Sequence, residues 1–221
     1  MLISLNQIKD LPDVTGASDY FKLNLRCLFK ILATKEWDRP LHADNFVRMG
    51  SLRFAQELVA MIPGLERKCA AFHVFCLEPV IETVDGNENA KMCYRTLCRY
   101  AEGIATEEEF EAARRLSDFI TGPCEDAAQD CVQAAVVAAF MKPEELQRMK
   151  AFSDPESCLS GMTTEAMCLA ACELEKYQEP EYLKVLWDRT KTDEEAHQRA
   201  KFTSIFMHPN PPRLPQLKLA I

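Results

Sequence analysis

The fold of this chain is decided by residues 99–141, which read RYAEGIATEEEFEAARRLSDFITGPCEDAAQDCVQAAVVAAFM. Gly103 predicts the end of one helix, because a residue without Cβ suits the left-handed position that follows a helix. Thr106 and Glu109 have the spacing of a capping box, in which each side chain satisfies a backbone N–H at the helix start. This stretch therefore predicts one helix that ends at Gly103 and another that begins at Thr106.

Residues 124–141 follow the Gly122-Pro123 break and predict a third helix, since proline is tolerated at the first helical position. This helix is rich in alanine and valine, and Gln133 is the only polar side chain in its second half. A helix that is apolar on nearly all sides is normally surrounded by other helices. We therefore expect residues 124–141 to form the central helix of a bundle.

The rest of the chain also predicts helices, because no strand-like alternation lasts beyond a few residues. One helix is expected from near Asp19 to the Trp37-Pro40 break, and others at about 43–61, 65–83, 88–102 and 143–152. Three more are expected to begin at Thr164, Pro180 and Thr192, and the last of these should end near Met207. Pro79 is expected to kink or end its helix, because proline removes a backbone hydrogen bond. The predicted fold class is all-α, a multi-helix bundle of nine or ten helices.

The C-terminal part carries two further signals. Thr192 and Glu195 have the spacing of a second capping box, which predicts a break between the helix that starts at Pro180 and a last helix. The tail after Met207 is expected to be extended, because its prolines exclude a helix.

The length of 221 residues suits one sizeable domain. The loop expected at 153–161 is the best candidate for a boundary between lobes. It separates residues 1–152, the main helical bundle, from residues 153–221, the C-terminal helices and tail. We expect the second part to pack on the first within one continuous domain.

The charge of the chain argues against two classes of partner. Lys and Arg number 26 and Asp and Glu number 34, so the net charge is −8. An acidic chain is repelled by phosphate backbones and anionic membranes, so binding to nucleic acid or to a membrane is not expected. Even the apolar stretch 124–141 is too short to span a bilayer, which takes about 20 apolar residues.

The ten cysteines are expected to be thiols in a reducing cytoplasm, because the N-terminal residues do not predict a secretory signal. Four pairs lie four to seven residues apart: Cys69/Cys76, Cys93/Cys98, Cys124/Cys131 and Cys168/Cys172. The sequence has no C-x-x-C pair and no histidine pair at zinc-finger spacing, so we interpret cysteine as a small buried hydrophobe. The alternative is a metal or redox role, for which Cys168 and Cys172 are the best pair.

Glu194 and His197 form an E-x-x-H sequence, the spacing at which both side chains reach one metal in carboxylate-bridged di-iron bundles. Those bundles need two such motifs and two further glutamates, whereas this chain has one motif. The interpretation that we favour is a solvated helix start, whose acidic side chains compensate the helix dipole.

Two histidines are weaker candidates for a catalytic role. His73 lies in a nearly apolar helix and is expected to be a core side chain with one satisfied hydrogen bond. His42 and Asp44 lie beside Trp37 and Arg39 in a predicted loop, where functional residues concentrate. The sequence has no G-x-S-x-G motif and no phosphate-binding glycine loop, so we assign no catalytic, cofactor-binding or metal-binding residue.

The tail contains a P-x-x-P sequence at 212–215. One interpretation is a polyproline II ligand for a groove on a partner. The other, which we favour, is that the tail packs on its own domain through Leu214, Leu217 and Leu219.

Two stretches resemble known bacterial proteins. Residues 99–114, RYAEGIATEEEFEAAR, with the alanine-rich helix that follows, resemble a segment of uncharacterised helical proteins abundant in planctomycete-type bacteria. In that family a segment like residues 200–217, AKFTSIFMHPNPPRLPQL, follows in the same order. The first stretch is also similar to immunity proteins of bacterial toxin systems. The resemblance implies a helical fold and a role in immunity or defence, and it transfers no functional residue.

These observations leave three hypotheses for the function. The leading hypothesis is a non-enzymatic cytoplasmic protein-binding or regulatory module, whose acidic surface suits a basic protein partner by charge complementarity. The alternative is a helical-bundle enzyme or ligand-binding protein with a site assembled from separated residues, which an internal pocket lined by at least three convergent polar side chains would favour. The third is a homo-oligomeric structural protein that exchanges its tail between subunits.

Overall fold

The computed structural model describes residues 2–3, 8, 11, 19–34, 41–49, 51–84, 86–120, 126–141 and 159–207. Within this part of the chain nine α-helices form: α1 (Asp19–Thr34), α2 (Ala43–Met49), α3 (Leu52–Ala60), α4 (Glu66–Leu77), α5 (Glu88–Ala101), α6 (Glu107–Ser117), α7 (Ala127–Phe140), α8 (Leu159–Leu174) and α9 (Pro180–Met207). A 3-10 helix, Ile81–Thr83, follows α4, and β1 (Leu2–Ile3) pairs antiparallel with β2 (Leu41–His42). The predicted all-α multi-helix bundle is confirmed.

The predicted helix end at Gly103 is confirmed. Gly103 has φ +78°, and its N–H donates to the Tyr100 carbonyl over 3.0 Å. The next N–H, of Ile104, donates to the Arg99 carbonyl over 2.8 Å. These two bonds satisfy carbonyls at the end of α5 that would otherwise lack a partner.

The predicted capping box at the start of α6 is also confirmed. The Thr106 hydroxyl accepts from the Glu109 N–H over 3.2 Å, and the Glu109 carboxylate accepts from the Thr106 N–H over 2.8 Å. Both bonds are local, which is why the residue spacing was enough to predict them.

α7 occupies the centre of the described bundle, as predicted, because it packs against α4, α5, α6 and α8. Val132, Ala135 and Val136 on this helix are completely buried. Their small side chains let neighbouring helices approach closely. The helix begins after Asp126, whose carboxylate accepts from a backbone N–H of the first turn.

The prediction of one helix at 43–61 is wrong, since this stretch forms two helices, α2 and α3. Ser51 begins α3 in an extended backbone conformation, and its hydroxyl accepts from the Phe54 N–H over 3.2 Å. Serine is among the best residues for this capping position. The prediction that Pro79 ends its helix is confirmed, because α4 ends at Leu77.

The prediction of a break before Thr192 is wrong, because α9 runs without interruption from Pro180 to Met207. The Thr192 hydroxyl donates to the Asp188 carbonyl over 2.8 Å, one turn back in the same helix, so it does not cap a new one. The expected loop up to residue 161 is partly wrong as well, since α8 already includes Leu159.

The second half of α9 closes the core. Phe202, Ile205 and Phe206 are completely buried. The Phe202 ring meets the Phe72 ring of α4 edge to face, with 5.2 Å between the centroids, which is a favourable geometry for aromatic pairs.

Several predictions fall outside the described residues: the helix at 143–152, most of the loop at 153–161, the break at Gly122-Pro123, and the tail after Met207. The division into residues 1–152 and 153–221 stays a prediction. In the ranges that are described, no helix combines the length and apolar character needed to cross a membrane.

Two threonines with the same T-x-x-E sequence are expected to respond differently to alanine. Thr106→Ala removes a helix cap and should lower the free energy of unfolding by about 1 kcal/mol. Thr192→Ala, within a continuous helix, should change it by no more than about 0.5 kcal/mol. Urea unfolding followed by circular dichroism measures both. Equal losses at the two positions would contradict the continuous α9.

Candidate functional site

A cluster of buried polar side chains lies where α3, α8 and α9 meet. We call it the polar junction, and it consists of Gln56, Ser160, Thr163, Thr164, Glu194 and Gln198. Burial of polar groups is costly unless they find hydrogen-bond partners. The cluster therefore needs a complete set of internal contacts.

Gln198 is the centre of the polar junction and is only 1% exposed. Its side-chain nitrogen lies 2.9 Å from the Glu194 carboxylate and 3.1 Å from the Thr164 hydroxyl. It also lies 3.3 Å from both the Thr163 hydroxyl and the Ser160 carbonyl. One amide thus joins α9 to the first turns of α8.

The hydroxyls of Thr163 and Thr164 act as acceptors for this amide, because each of them donates its own proton to a backbone carbonyl. The Thr164 hydroxyl donates to the Ser160 carbonyl over 2.8 Å, and the Thr163 hydroxyl lies 3.1 Å from the Leu159 carbonyl. The Gln56 amide donates to the Ser160 hydroxyl over 2.7 Å, which ties α3 into the same network.

The prediction that Glu194 lies at a solvated helix start is wrong, since it lies inside α9 and is buried. Burial raises the pKa of the Glu194 carboxyl, against the effects of the Gln198 hydrogen bond and of His197. His197 is 66% exposed and packs its ring against Phe75, with 4.9 Å between the centroids. The two side chains of the E-x-x-H sequence therefore lie in different environments.

Next to the polar junction, Arg53 and Glu57 form an ion pair within α3. The Arg53 Nε lies 2.7 Å from the Glu57 carboxylate. Burial raises the pKa of Glu57, and the hydrogen bond and charge of Arg53 oppose this shift.

A cavity of about 160 Å³ opens beside the polar junction, between α3, α8 and α9. On α9 it is lined by one stripe of side chains at intervals of four residues: Trp187, Lys191, Glu195 and Arg199. On α8 it is lined by Ser160, Thr164 and Cys168, among others. Arg53 of α3 lines the same cavity. The cavity thus brings together polar side chains that lie more than 100 residues apart in the sequence.

The two ends of this cavity differ in chemistry. α8 and α9 run antiparallel, because Gln198 contacts Ser160 while the Cys168 thiol contacts the Trp187 carbonyl over 3.7 Å. Ser160 and Cys168 are about 12 Å apart along α8, at about 1.5 Å per residue. Arg199 therefore lies at the end next to Ser160, and Trp187 lies at the end next to Cys168.

The outer half of the α8–α9 hairpin, residues 169–193, contains no buried residue, although Cys168 and Glu194 on either side are buried. It nevertheless carries large apolar side chains that are exposed, Leu174 by 85% and Tyr177 by 92%. We call this set the hairpin tip, and it consists of Leu174, Tyr177, Tyr182 and Val185. Large apolar side chains that are exposed are a feature of interaction surfaces.

The eight cysteines in the described residues are thiols. Cys76, Cys93 and Cys168 are buried, as expected for a small hydrophobe. The thiols of Cys168 and Cys172 point at α9, where they lie 3.7 Å from the carbonyls of Trp187 and Leu183. Over the described part of the chain, no three His, Cys, Asp or Glu side chains are placed to hold a metal ion.

Among the other candidate residues, His73 does not line the cavity. His73 lies on α4, where burial lowers its pKa to about 4 and a hydrogen bond with the Ala139 backbone opposes the shift. This agrees with the expected core histidine. His42 pairs through β2 with Leu2, and the side chains of His42 and Asp44 lie outside the described set, as do Trp37 and Arg39.

Comparisons with known proteins give no match: no family model, no curated protein and no solved structure matches this chain. The resemblance of residues 99–114 and 200–217 to bacterial families therefore stays an expectation.

Sequence reasoning missed the polar junction, because threonine and glutamine on a helix are usually solvated. One signal was present. Phe202 and Ile205 follow Gln198 by four and seven residues, which places all three on one face of α9. The burial of that face implied a buried glutamine.

Replacement of Glu194 by glutamine is expected to change how stability depends on pH. Burial holds the pKa of Glu194 above its ordinary value of 4.5 in the folded state. Stability from this group is therefore fully present below pH 4.5 and is lost as the pH rises through the folded-state pKa. Glu194→Gln keeps an acceptor for Gln198 but cannot ionise. Its advantage over the parent, which is the difference between the two free energies of unfolding, should therefore be larger at pH 7 than at pH 4.

The measurement is urea unfolding of both proteins at the two pH values. Glu57, whose pKa is also raised, is present in both proteins and cancels in the difference. Asp193→Asn, at an exposed neighbouring carboxylate, is the matched control. An advantage of Glu194→Gln that is equal at both pH values would contradict the buried position of Glu194.

Proposed function

We propose that this chain is a non-enzymatic protein-binding module that docks on its partner through the hairpin tip. The observation that carries the proposal is the contrast within one hairpin. None of residues 169–193 is fully buried, and they expose two tyrosines, a leucine and a valine. Tyrosine is enriched among the residues that dominate binding energy at protein interfaces.

The shape of the surface supports a helix-in-groove contact. Tyr182 and Val185 lie three residues apart on α9, whereas Tyr177 lies in the turn that follows Leu174, the last residue of α8. The spacing on α9 presents two neighbouring side chains on one side of a helix, the arrangement that apolar grooves on partners accept.

The charge around the hairpin tip indicates the chemistry of the partner. Residues 173–181 contain four glutamates and one lysine, so this segment has a net charge of −3. A partner with an apolar groove bordered by lysine and arginine would complement both features and would be steered towards the tip. The same charge disfavours phosphate backbones and anionic membranes.

The titratable groups support binding rather than catalysis. Burial raises the pKa of Cys69 to about 12 and that of Cys93 to about 11, so the nucleophilic thiolate is disfavoured at both positions. Burial also keeps His73 neutral at physiological pH. An enzyme with a site at α4 is therefore the weaker proposal.

A cytoplasmic location belongs to the same proposal, since a chain whose described cysteines are thiols suits a reducing compartment. A role in immunity is a specific form of this proposed function. In it the basic partner is a toxin, as the resemblance of residues 99–114 implies. In that form the chain would cover the toxin and block its action.

The test is capture of partners from the source cells on the full-length chain, followed by binding measurements with the purified candidate. Leu174→Ser with Tyr177→Ser should weaken binding at least about tenfold, since buried aromatic anchors contribute about 2 kcal/mol or more. Phe119→Ser is the matched control, because Phe119 is 74% exposed at the end of α6 and lies outside the hairpin. Its binding should equal that of the parent, and binding should weaken with added salt.

Three results would overturn this proposal. One is a purified partner that binds the double variant as tightly as the parent. Another is native mass spectrometry that shows a dimer of the parent and a monomer of the double variant, which would make a second copy the occupant. The third is loss of binding on removal of residues 208–221, which would place the partner on the tail.

A further inference from the structure

We propose that the cavity between α3, α8 and α9 binds a free α-amino acid with an apolar side chain. This inference is independent of the protein-binding role proposed for the hairpin tip. It rests on the order in which charged, polar and apolar groups follow one another along the cavity wall.

The first part of the argument is the stripe on α9. From the end next to Ser160, the wall presents Arg199, then Glu195 and Lys191 at successive turns, and finally Trp187 beside Cys168. The first two groups are a cation and an anion, and the far end of the wall is apolar. An α-amino acid has a carboxylate, an ammonium and an apolar side chain, which complement these three groups in the same order.

The second part is the loose pairing of the two charged groups. The Glu195 and Arg199 side chains are 3.7 Å apart at their nearest charged atoms, and both are partly exposed. An ion pair of this length in water contributes little stability. A zwitterion can bind both groups at once by presenting the opposite charge to each of them.

The other walls of the cavity complete the polar end. Arg53 is buried on α3, where its Nε pairs with Glu57. The hydroxyls of Ser51, Ser160 and Thr164, each hydrogen-bonded within the protein, also line the space. A buried guanidinium and several hydroxyls are groups that commonly orient a carboxylate or an ammonium in a pocket. Lys191 and Glu165 also line the cavity, and they lie at a similar level in the antiparallel pair of helices.

The size of the cavity limits the class of ligand. A volume of about 160 Å³ corresponds to roughly five water molecules in the liquid. Pockets for larger metabolites and drug-sized molecules usually occupy about 300 Å³ or more. A single amino acid is of suitable size for this space.

The probe for binding is Trp187, which lines the cavity. Trp37→Phe leaves Trp187 as the only tryptophan of the full-length chain. We would titrate this protein with alanine, valine, leucine, methionine and phenylalanine, and follow tryptophan fluorescence and heat of binding. At least one of these amino acids should bind at millimolar concentration or below, with saturation in both measurements.

Two analogues of leucine test the requirement for both charges. 4-Methylpentanoate lacks the ammonium, and 3-methylbutylamine lacks the carboxylate. Each should bind at least about tenfold more weakly than leucine, since a charge-assisted hydrogen bond contributes about 1.5 kcal/mol or more.

Two substitutions locate the site, and the chain offers a matched control for each. Glu195→Gln and Arg199→Gln should each weaken amino-acid binding at least about tenfold. Asp193→Asn and Arg189→Gln remove a similar ion pair of 3.7 Å from the exposed side of the same helix, and they should leave binding unchanged. Circular dichroism should show that all four variants keep the helical content of the parent.

The proposal is overturned if none of the five amino acids binds, or if 4-methylpentanoate binds as tightly as leucine. It is also overturned if Glu195→Gln and Arg199→Gln bind as the parent does. Failure of the protein-binding proposal would appear in the hairpin-tip variants instead. Leu174 and Tyr177 do not line the cavity, so the two proposals are tested separately.

Discussion

The side-chain amide of Gln198 is the contact on which much of this architecture depends. It is buried, and buried amide protons need acceptors within the protein. Glu194, the two threonines of α8 and the Ser160 carbonyl supply them, and the Gln56–Ser160 hydrogen bond extends the network to α3. A shift of α9 by one turn would separate the Gln198 amide from its three acceptors on α8, and a buried amide proton without an acceptor costs about 1–3 kcal/mol. The network therefore fixes the register of three helices.

Both proposed binding surfaces follow from this register. α9 has 28 residues, and its buried residues all lie between Glu194 and Phe206. Because that half is held in the bundle by Gln198 and Phe202, the other half extends beyond the described core together with the end of α8. The hairpin tip is exposed for this reason. The cavity lies at the place where the hairpin leaves the bundle, beside the same polar junction.

The two surfaces serve different chemistry. The hairpin tip offers exposed aromatic and aliphatic groups within an acidic segment, which suits a basic protein groove. The cavity offers a small, half-open space with charges of both signs at one end and Trp187 at the other, which suits a small zwitterion. They share α9, so a protein partner and a small ligand would contact adjoining parts of one helix.

The sequence by itself determined the features that depend on neighbouring residues. These are the end of α5 at Gly103, the capping box of Thr106 and Glu109, and the central place of the alanine-rich α7. Thr106 and Thr192 share the T-x-x-E pattern, and only the tertiary structure decided which of them caps a helix. Thr192 does not, because it lies within the continuous α9 and its hydroxyl donates to the Asp188 carbonyl. Only the tertiary structure revealed the polar junction and the cavity. Their contacts join residues as far apart as Gln56 and Ser160, 104 positions along the chain, and no local spacing specifies such a pair.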